Sequence, residues 1–159
     1  MTVALIGLAL LIGVVAGLRA LTPPAVVAWG AYLGWLEVHD KWSSFMASVI
    51  AVAILTVLLV VELVTDQLPK TPSRKSTPQF SARLIMGAFA GAVIGSVDHH
   101  TFAGLGAGVI GAVLGTLGGY EFRSRLVKAT GGRDLPIAVL EDVIAVGGGF
   151  LVVYLVSTL

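Results

Sequence analysis

The chain has 159 residues, of which 57% are hydrophobic and only 12% are charged. An average soluble domain is about half apolar and about a quarter charged, and one of this size still exposes much of its surface. These figures, a mean hydropathy of +0.97 and the lack of cysteine exclude a disordered chain, a disulfide-rich secreted scaffold and a free-standing soluble enzyme. We therefore predict an all-α polytopic helix bundle in a lipid bilayer. With a net charge of +1, the chain gives no indication of a nucleic-acid partner.

Five segments are predicted to be membrane-spanning helices, since a bilayer core of about 30 Å takes roughly 20 apolar residues. They are residues 3–18, 44–61, 84–97, 102–120 and 137–159. A sixth segment, 24–36, contains Trp29, Tyr32 and Trp35, which suit a membrane interface. It is too short to distinguish a span from a re-entrant or interfacial helix. We predict five or six spans in one transmembrane domain, residues 1–159.

Basic residues cluster in two loops, residues 67–82 and 121–136, whereas the turn at 98–101 has none. Cytoplasmic loops carry an excess of Lys and Arg, so both loops are predicted to be cytoplasmic. Six spans would place every Lys and Arg except Lys41 on that side and both termini on the other. The first of these loops, 67–82, is rich in proline and separates a first half of the chain, 1–66, from a second half, 83–159. Three spans in each half would suit two inverted three-helix repeats, as in many transporters.

Glycines recur at helical spacing in two near-copies, GAVIGS and GAVLGT. In lipid, helices associate through close backbone approach and van der Waals contact, so these segments predict a tight helical hairpin. The triplet 147–149 has two interpretations, a helix break that lines a cavity or a close contact with a neighbouring helix. The glycines predicted to pack helices together are Gly87, Gly91, Gly95, Gly108, Gly111 and Gly115.

Charged side chains near the predicted spans need an explanation, because a carboxylate in hydrocarbon costs about 2.5–3.5 kcal/mol. One interpretation is a set of interfacial salt bridges that fix helix register. The other is a substrate or ion site, with Glu62 as the first candidate because it lies deepest from the loop. The candidate substrate- or ion-binding residues are Glu62, Asp66, Glu141, Asp142, Arg19 and Arg83.

A second polar group is predicted on the opposite side of the membrane. Histidine and carboxylate side chains bind transition metals, although loop histidines are commonly just solvated. Its members, the candidate metal ligands, are His39, Asp40, Asp98, His99 and His100. We predict no cofactor and assign no catalytic residue.

Several stretches together resemble a known family: GLRALTPPAVVAWGA, ELVTDQLPKTPSR, GGYEFRSRL and LEDVIAVGGG. The chain is similar over nearly its whole length to small bacterial polytopic membrane proteins classed as a domain of unknown function. The resemblance implies a multi-pass protein of the bacterial inner membrane and transfers no catalytic residue. It directs attention to Arg19, Glu62, Asp66, Pro69, Arg74, Glu141 and Asp142.

Three functions remain open from the sequence. The first is a small transporter or channel for an ion or small solute, which membrane carboxylates and a three-plus-three repeat favour. The second is a membrane enzyme that acts on a lipid head group, and the third is a non-catalytic scaffold or assembly factor. We favour the first, with a homodimer as an expected assembly because six short helices have little bulk to enclose a pathway.

Overall fold

A computed structural model describes residues 3–65, 77–132 and 134–159. Over these ranges the chain has six α-helices, one 3₁₀ segment and no strand, which confirms the all-α prediction. The elements are α1 (Val3–Leu18), α2 (Thr22–Tyr32), the 3₁₀ segment (Trp42–Ala47), α3 (Val49–Thr65), α4 (Thr77–Ser96), α5 (Thr101–Ala129) and α6 (Asp134–Ser157).

Two helices extend into the segments that the sequence predicted as loops. Helix α4 already begins at Thr77, inside 67–82, with Pro78 in the first turn, where the missing N–H removes no helical hydrogen bond. Helix α5 continues beyond 120, and Glu121 and Arg125 form an i,i+4 pair at 4.0 Å there. An apolar segment indicates which part of a helix is shielded from water. The helix itself can continue into the polar residues on either side of that segment.

The ambiguous segment at 24–36 forms the short helix α2 and an irregular extension. Pro23 and Pro24 lie in the first turn of α2, where their fixed φ favours helix initiation. The helix has 11 residues, or about 17 Å. Beyond Tyr32 the chain is irregular, yet Leu36 and Val38 are fully buried. These two side chains therefore anchor the segment on the bundle, whereas Leu33, Glu37, His39 and Asp40 are exposed.

Helices α1, α4 and α5 form a core in which backbones lie in direct contact. A Cβ added to Gly91 would lie 2.9 Å from the Cα of Gly108, and one added to Gly95 would lie 3.0 Å from the Cα of Gly104. On the α1 side, a Cβ at Gly111 would lie 2.8 Å from the Val14 nitrogen. Such approach is possible only where side chains are absent, so glycines on α5 serve both neighbouring helices.

Helices α2, α3 and α6 join this core through larger side chains. The Trp29 indole donates a hydrogen bond to Thr56 Oγ1 at 2.9 Å, which links α2 to α3. The rings of Trp35 and Tyr154 meet edge to face, with centroids 5.4 Å apart. Helix α6 is continuous through residues 147–149, and a Cβ at Gly149 would lie 3.1 Å from Val26. The glycine triplet thus contains no helix break, and its last member contacts α2.

Two helices in the described part of the chain are long and apolar enough to cross a membrane, Thr101–Ala129 and Leu135–Ser157. Helices α1 and α3 are apolar but shorter, with 16 and 17 residues. At 1.5 Å per residue these correspond to about 24 and 26 Å, slightly less than a bilayer core of about 30 Å.

Candidate functional site

Arg19 lies in the short turn between α1 and α2, and only 1% of its surface is exposed. Its Nη1 donates to Glu141 Oε1 at 3.0 Å, and its Nε donates to the carboxylate of Asp142. Both acceptors lie on α6, in consecutive positions. A buried guanidinium is costly unless it is paired and hydrogen-bonded, and two carboxylates of one helix satisfy that requirement here.

Glu62, near the end of α3, contacts the same turn through its backbone. Its two carboxylate oxygens accept hydrogen bonds from the backbone N–H groups of Ala20 and Leu21, at 2.8 and 2.7 Å. N–H groups at the start of a helix have no partner within that helix, and its positive dipole end favours an anion. Glu62 therefore serves as an anionic cap for α2 supplied by another helix.

Arg83, on α4, reaches the turn from the α1 side. Its side chain is buried, with 3% of the residue exposed, and its Nη1 donates to the Gly17 carbonyl oxygen at 2.7 Å. Carbonyl groups in the last turn of a helix lack an intrahelical partner, so Arg83 satisfies one that α1 leaves open.

Five predicted site residues thus meet at the stretch 17–21. Arg19 pairs directly with two of the acids, whereas Glu62 and Arg83 reach the stretch through backbone hydrogen bonds. We call this group the turn cluster: Arg19, Glu62, Arg83, Glu141 and Asp142. The remaining predicted member, Asp66, lies outside the described residues, as do Pro69 and Arg74.

The second polar group lies at two connections that touch one another. Lys41 Nζ lies 2.8 Å from His99 Nε2, and the Trp42 indole donates to Thr101 Oγ1 at 3.1 Å. His100 Nδ1 lies 2.5 Å from the Asp98 carbonyl oxygen. Among the residues that the structure describes, no three His, Asp or Glu side chains are arranged to hold a metal ion. The candidate metal ligands share one end of the bundle without forming such a group.

Sequence reasoning missed the backbone part of the turn cluster, namely the Gly17 carbonyl and the two N–H groups that Glu62 binds. The Pro23–Pro24 pair was the available signal, because proline at the start of a helix marks where free N–H groups lie. Such a signal gives the location of the donors, but it does not reveal which acid of another helix will reach them.

A family model, Domain of unknown function (DUF4126), matches residues 6–155. The chain belongs to the DUF4126 family. This match confirms the family resemblance seen in the sequence. No curated protein and no solved structure matches the chain.

The turn cluster of this DUF4126 protein lies next to a small pocket of about 80 Å³. Glu141 belongs to both, since it pairs with Arg19 and lines the pocket. The pocket is lined by Leu18, Gly119, Phe122, Ile137, Leu140, Glu141 and Ile144.

The turn cluster brings one buried guanidinium into direct contact with two carboxylates. A cation that binds Glu141 or Asp142 must compete with Arg19 for the carboxylate oxygens.

Proposed function

We propose that this protein is a multi-pass membrane protein that moves a small ion or solute, with the turn cluster as the site where charge binds. The observation that carries the proposal is the burial of Arg19 against Glu141 and Asp142, on a different helix. An ionic group inside an apolar bundle is expensive to maintain, and intramembrane ionisable residues commonly mark transport pathways.

Apolar side chains on the outside of the bundle support the membrane location. Helix α3 buries Val52 and Leu59, keeps Leu55 and Leu63 partly buried, and presents most of its large apolar side chains to the surroundings. A soluble protein rarely exposes an apolar surface of this extent, whereas lipid accommodates it. The exposed large apolar residues of α3 are Val49, Ile50, Ile54, Val57, Leu58, Val60, Val61 and Val64.

The positions of the connections support six passes. The turn cluster joins the α1–α2 turn, the end of α3 and the starts of α4 and α6 at one end. The contact between Lys41 and His99 joins the other two connections at the opposite end. Each element in turn thus runs between the two ends, with α2 and the irregular segment that Leu36 and Val38 anchor completing the second pass. Such a topology divides into three plus three passes of opposite orientation, with the basic loops in the cytoplasm of a bacterial cell.

The way α6 is attached suggests how charge binding is coupled to movement. Helices α1, α4 and α5 pack through backbone contact at glycines, whereas α6 packs on α2 through side chains and pairs with Arg19 in the α1–α2 turn. In the proposed cycle, a cation that binds Glu141 or Asp142 weakens the ion pairs with Arg19, so the start of α6 moves relative to the α1–α2 turn while its packing on α2 persists. Release of the cation restores the ion pairs between Arg19 and α6.

Transport can be tested by reconstituting the protein in liposomes that contain a pH-sensitive dye and screening ions and small solutes. We expect a protein-dependent flux that falls at least about tenfold in Glu141→Gln and in Asp142→Asn. An increase of about 1.4 kcal/mol in the activation free energy of the rate-limiting step lowers the rate tenfold. Initial rates at equal protein density are the measurement.

Glu121→Gln is the matched control, because it removes the same charge from an exposed i,i+4 pair with Arg125. This variant should transport within about twofold of the wild type, since exposed pairs contribute little. Flux that equals that of empty liposomes for every solute, or that persists in both α6 variants, would contradict the proposal.

A further inference from the structure

The pocket beside the turn cluster opens between α5 and α6 and is mostly apolar; we call it the α5–α6 pocket. Ile137 is buried in its wall, whereas Phe122, Leu140 and Ile144 are each about half-exposed. Glu141 is the ionisable member of the lining, and its Oε1 is engaged with Arg19. The pocket thus offers an apolar slot that is open on the outer side of the bundle.

The dimensions of the α5–α6 pocket suit part of a hydrocarbon chain. It runs along α6 from Ile137 to Ile144, which corresponds to about 10 Å of helix. Its volume of about 80 Å³ is well above the 10–15 Å³ that one water needs. Ordered water requires two to four polar partners, whereas Glu141 is the one ionisable side chain of the lining and its Oε1 is already engaged with Arg19. An acyl chain from the surrounding bilayer needs only apolar contact.

Basic side chains follow directly beyond the pocket on α5. Phe122 lines the pocket, and three basic residues follow it along the helix: Arg123, Arg125 and Lys128. The same stretch of α5, residues 121–128, contains one acidic residue, Glu121. At 3.6 residues per turn, Arg123 is about 40° around the helix from Gly119 and Arg125 about 60° from Phe122, whereas Lys128 is about 180° from Gly119. Arg123 is partly buried whereas Arg125 and Lys128 are exposed, so Arg123 is the basic residue that lies against the bundle beside the pocket.

We infer that the α5–α6 pocket binds one acyl chain of an anionic phospholipid, whose phosphate group is held by Arg123. Cationic side chains near the end of a membrane helix attract anionic head groups, and apolar slots between helices hold acyl chains. The inference rests on the membrane location in the proposed function and is independent of transport. Because Glu141 lines the pocket, the bound lipid lies next to the ion pair between Arg19 and α6.

Native mass spectrometry of the delipidated protein in detergent tests the inference, with dioleoyl phosphatidylglycerol and dioleoyl phosphatidylcholine as probes. We expect one saturable phosphatidylglycerol site per chain, at least about five-fold tighter than phosphatidylcholine binding, as one favourable charge contact supplies. Arg123→Gln should bring phosphatidylglycerol to the phosphatidylcholine level. Lys128→Gln, which removes the same charge from the opposite side of α5, should leave the selectivity unchanged.

Ile144→Trp tests the acyl-chain slot, because the larger ring fills the pocket from a half-exposed position. It should weaken binding of both lipids, and Phe122→Ala should do so by removing a wall without adding volume. Equal affinity for the two lipids, equal losses in Arg123→Gln and Lys128→Gln, or undiminished binding in both pocket variants would each overturn the inference. The experiment measures lipid binding and no transport, so the lipid inference can be confirmed or rejected even if the protein shows no transport activity.

Discussion

At the residue scale, the sequence indicates which charged residues lie beside predicted spans but not how they pair. A charge inside an apolar segment is costly, which is why Arg19, Glu141 and Asp142 stand out from the sequence alone. The role of Glu62 as a cap for α2 was not predictable, because its partners are backbone N–H groups. Every residue except proline has a backbone N–H group, so the sequence does not show which of these groups will bind a side chain.

Arg19→Met should destabilise the protein by about 3–5 kcal/mol, because it leaves two carboxylates buried without their guanidinium. The triple variant Arg19→Met, Glu141→Gln, Asp142→Asn should recover much of that loss, since no unpaired charge remains. Thermal unfolding in detergent measures both, and Arg125→Met, at an exposed position, is the control. A triple variant no more stable than the single one would show that the ion pairs are not what Arg19 contributes.

At the element scale, glycine spacing and helix length differ in how far they can be predicted. The recurrence of glycine one turn apart indicates close helix contact, and α4 and α5 contact each other at such positions. Helix α5 also uses glycines to contact α1. The glycine spacing does not indicate which further helix will pack on that face of α5. Helix ends were predicted less well, since α4 and α5 extend beyond their apolar segments and polar sequence does not stop a helix.

Gly108→Ala and Gly106→Ala form a matched pair on α5. A Cβ at Gly108 would overlap the carbonyl oxygen of Gly87, whereas one at Gly106 meets nothing within 4 Å. We expect Gly108→Ala to lower the free energy of unfolding by about 1–3 kcal/mol through overpacking. Gly106→Ala should be neutral or raise it by up to about 1 kcal/mol through helix propensity. Denaturation followed by circular dichroism is the measurement, and equal effects at the two positions would contradict the packing described for α5.

At the scale of the whole molecule, polar groups lie at the two ends and apolar side chains cover much of the surface between them. The composition predicts this arrangement, because so small a fraction of charge cannot coat a soluble domain. The structure of residues 24–38 was harder to predict, since α2 is short and the chain beyond it is irregular, with Leu36 and Val38 buried. Hydropathy detects helices by their length, so it does not distinguish a short helix with an irregular extension from a full span.

Side-specific labelling tests the membrane topology most directly, and the lack of native cysteine makes single-cysteine variants clean. Asp40→Cys and Lys128→Cys place one thiol at each end of the bundle, both at exposed positions. In intact spheroplasts, a membrane-impermeant maleimide should label Asp40→Cys at once and Lys128→Cys only after permeabilisation. Labelling of both from the same side, or release of the protein from membranes by alkaline carbonate, would contradict the account.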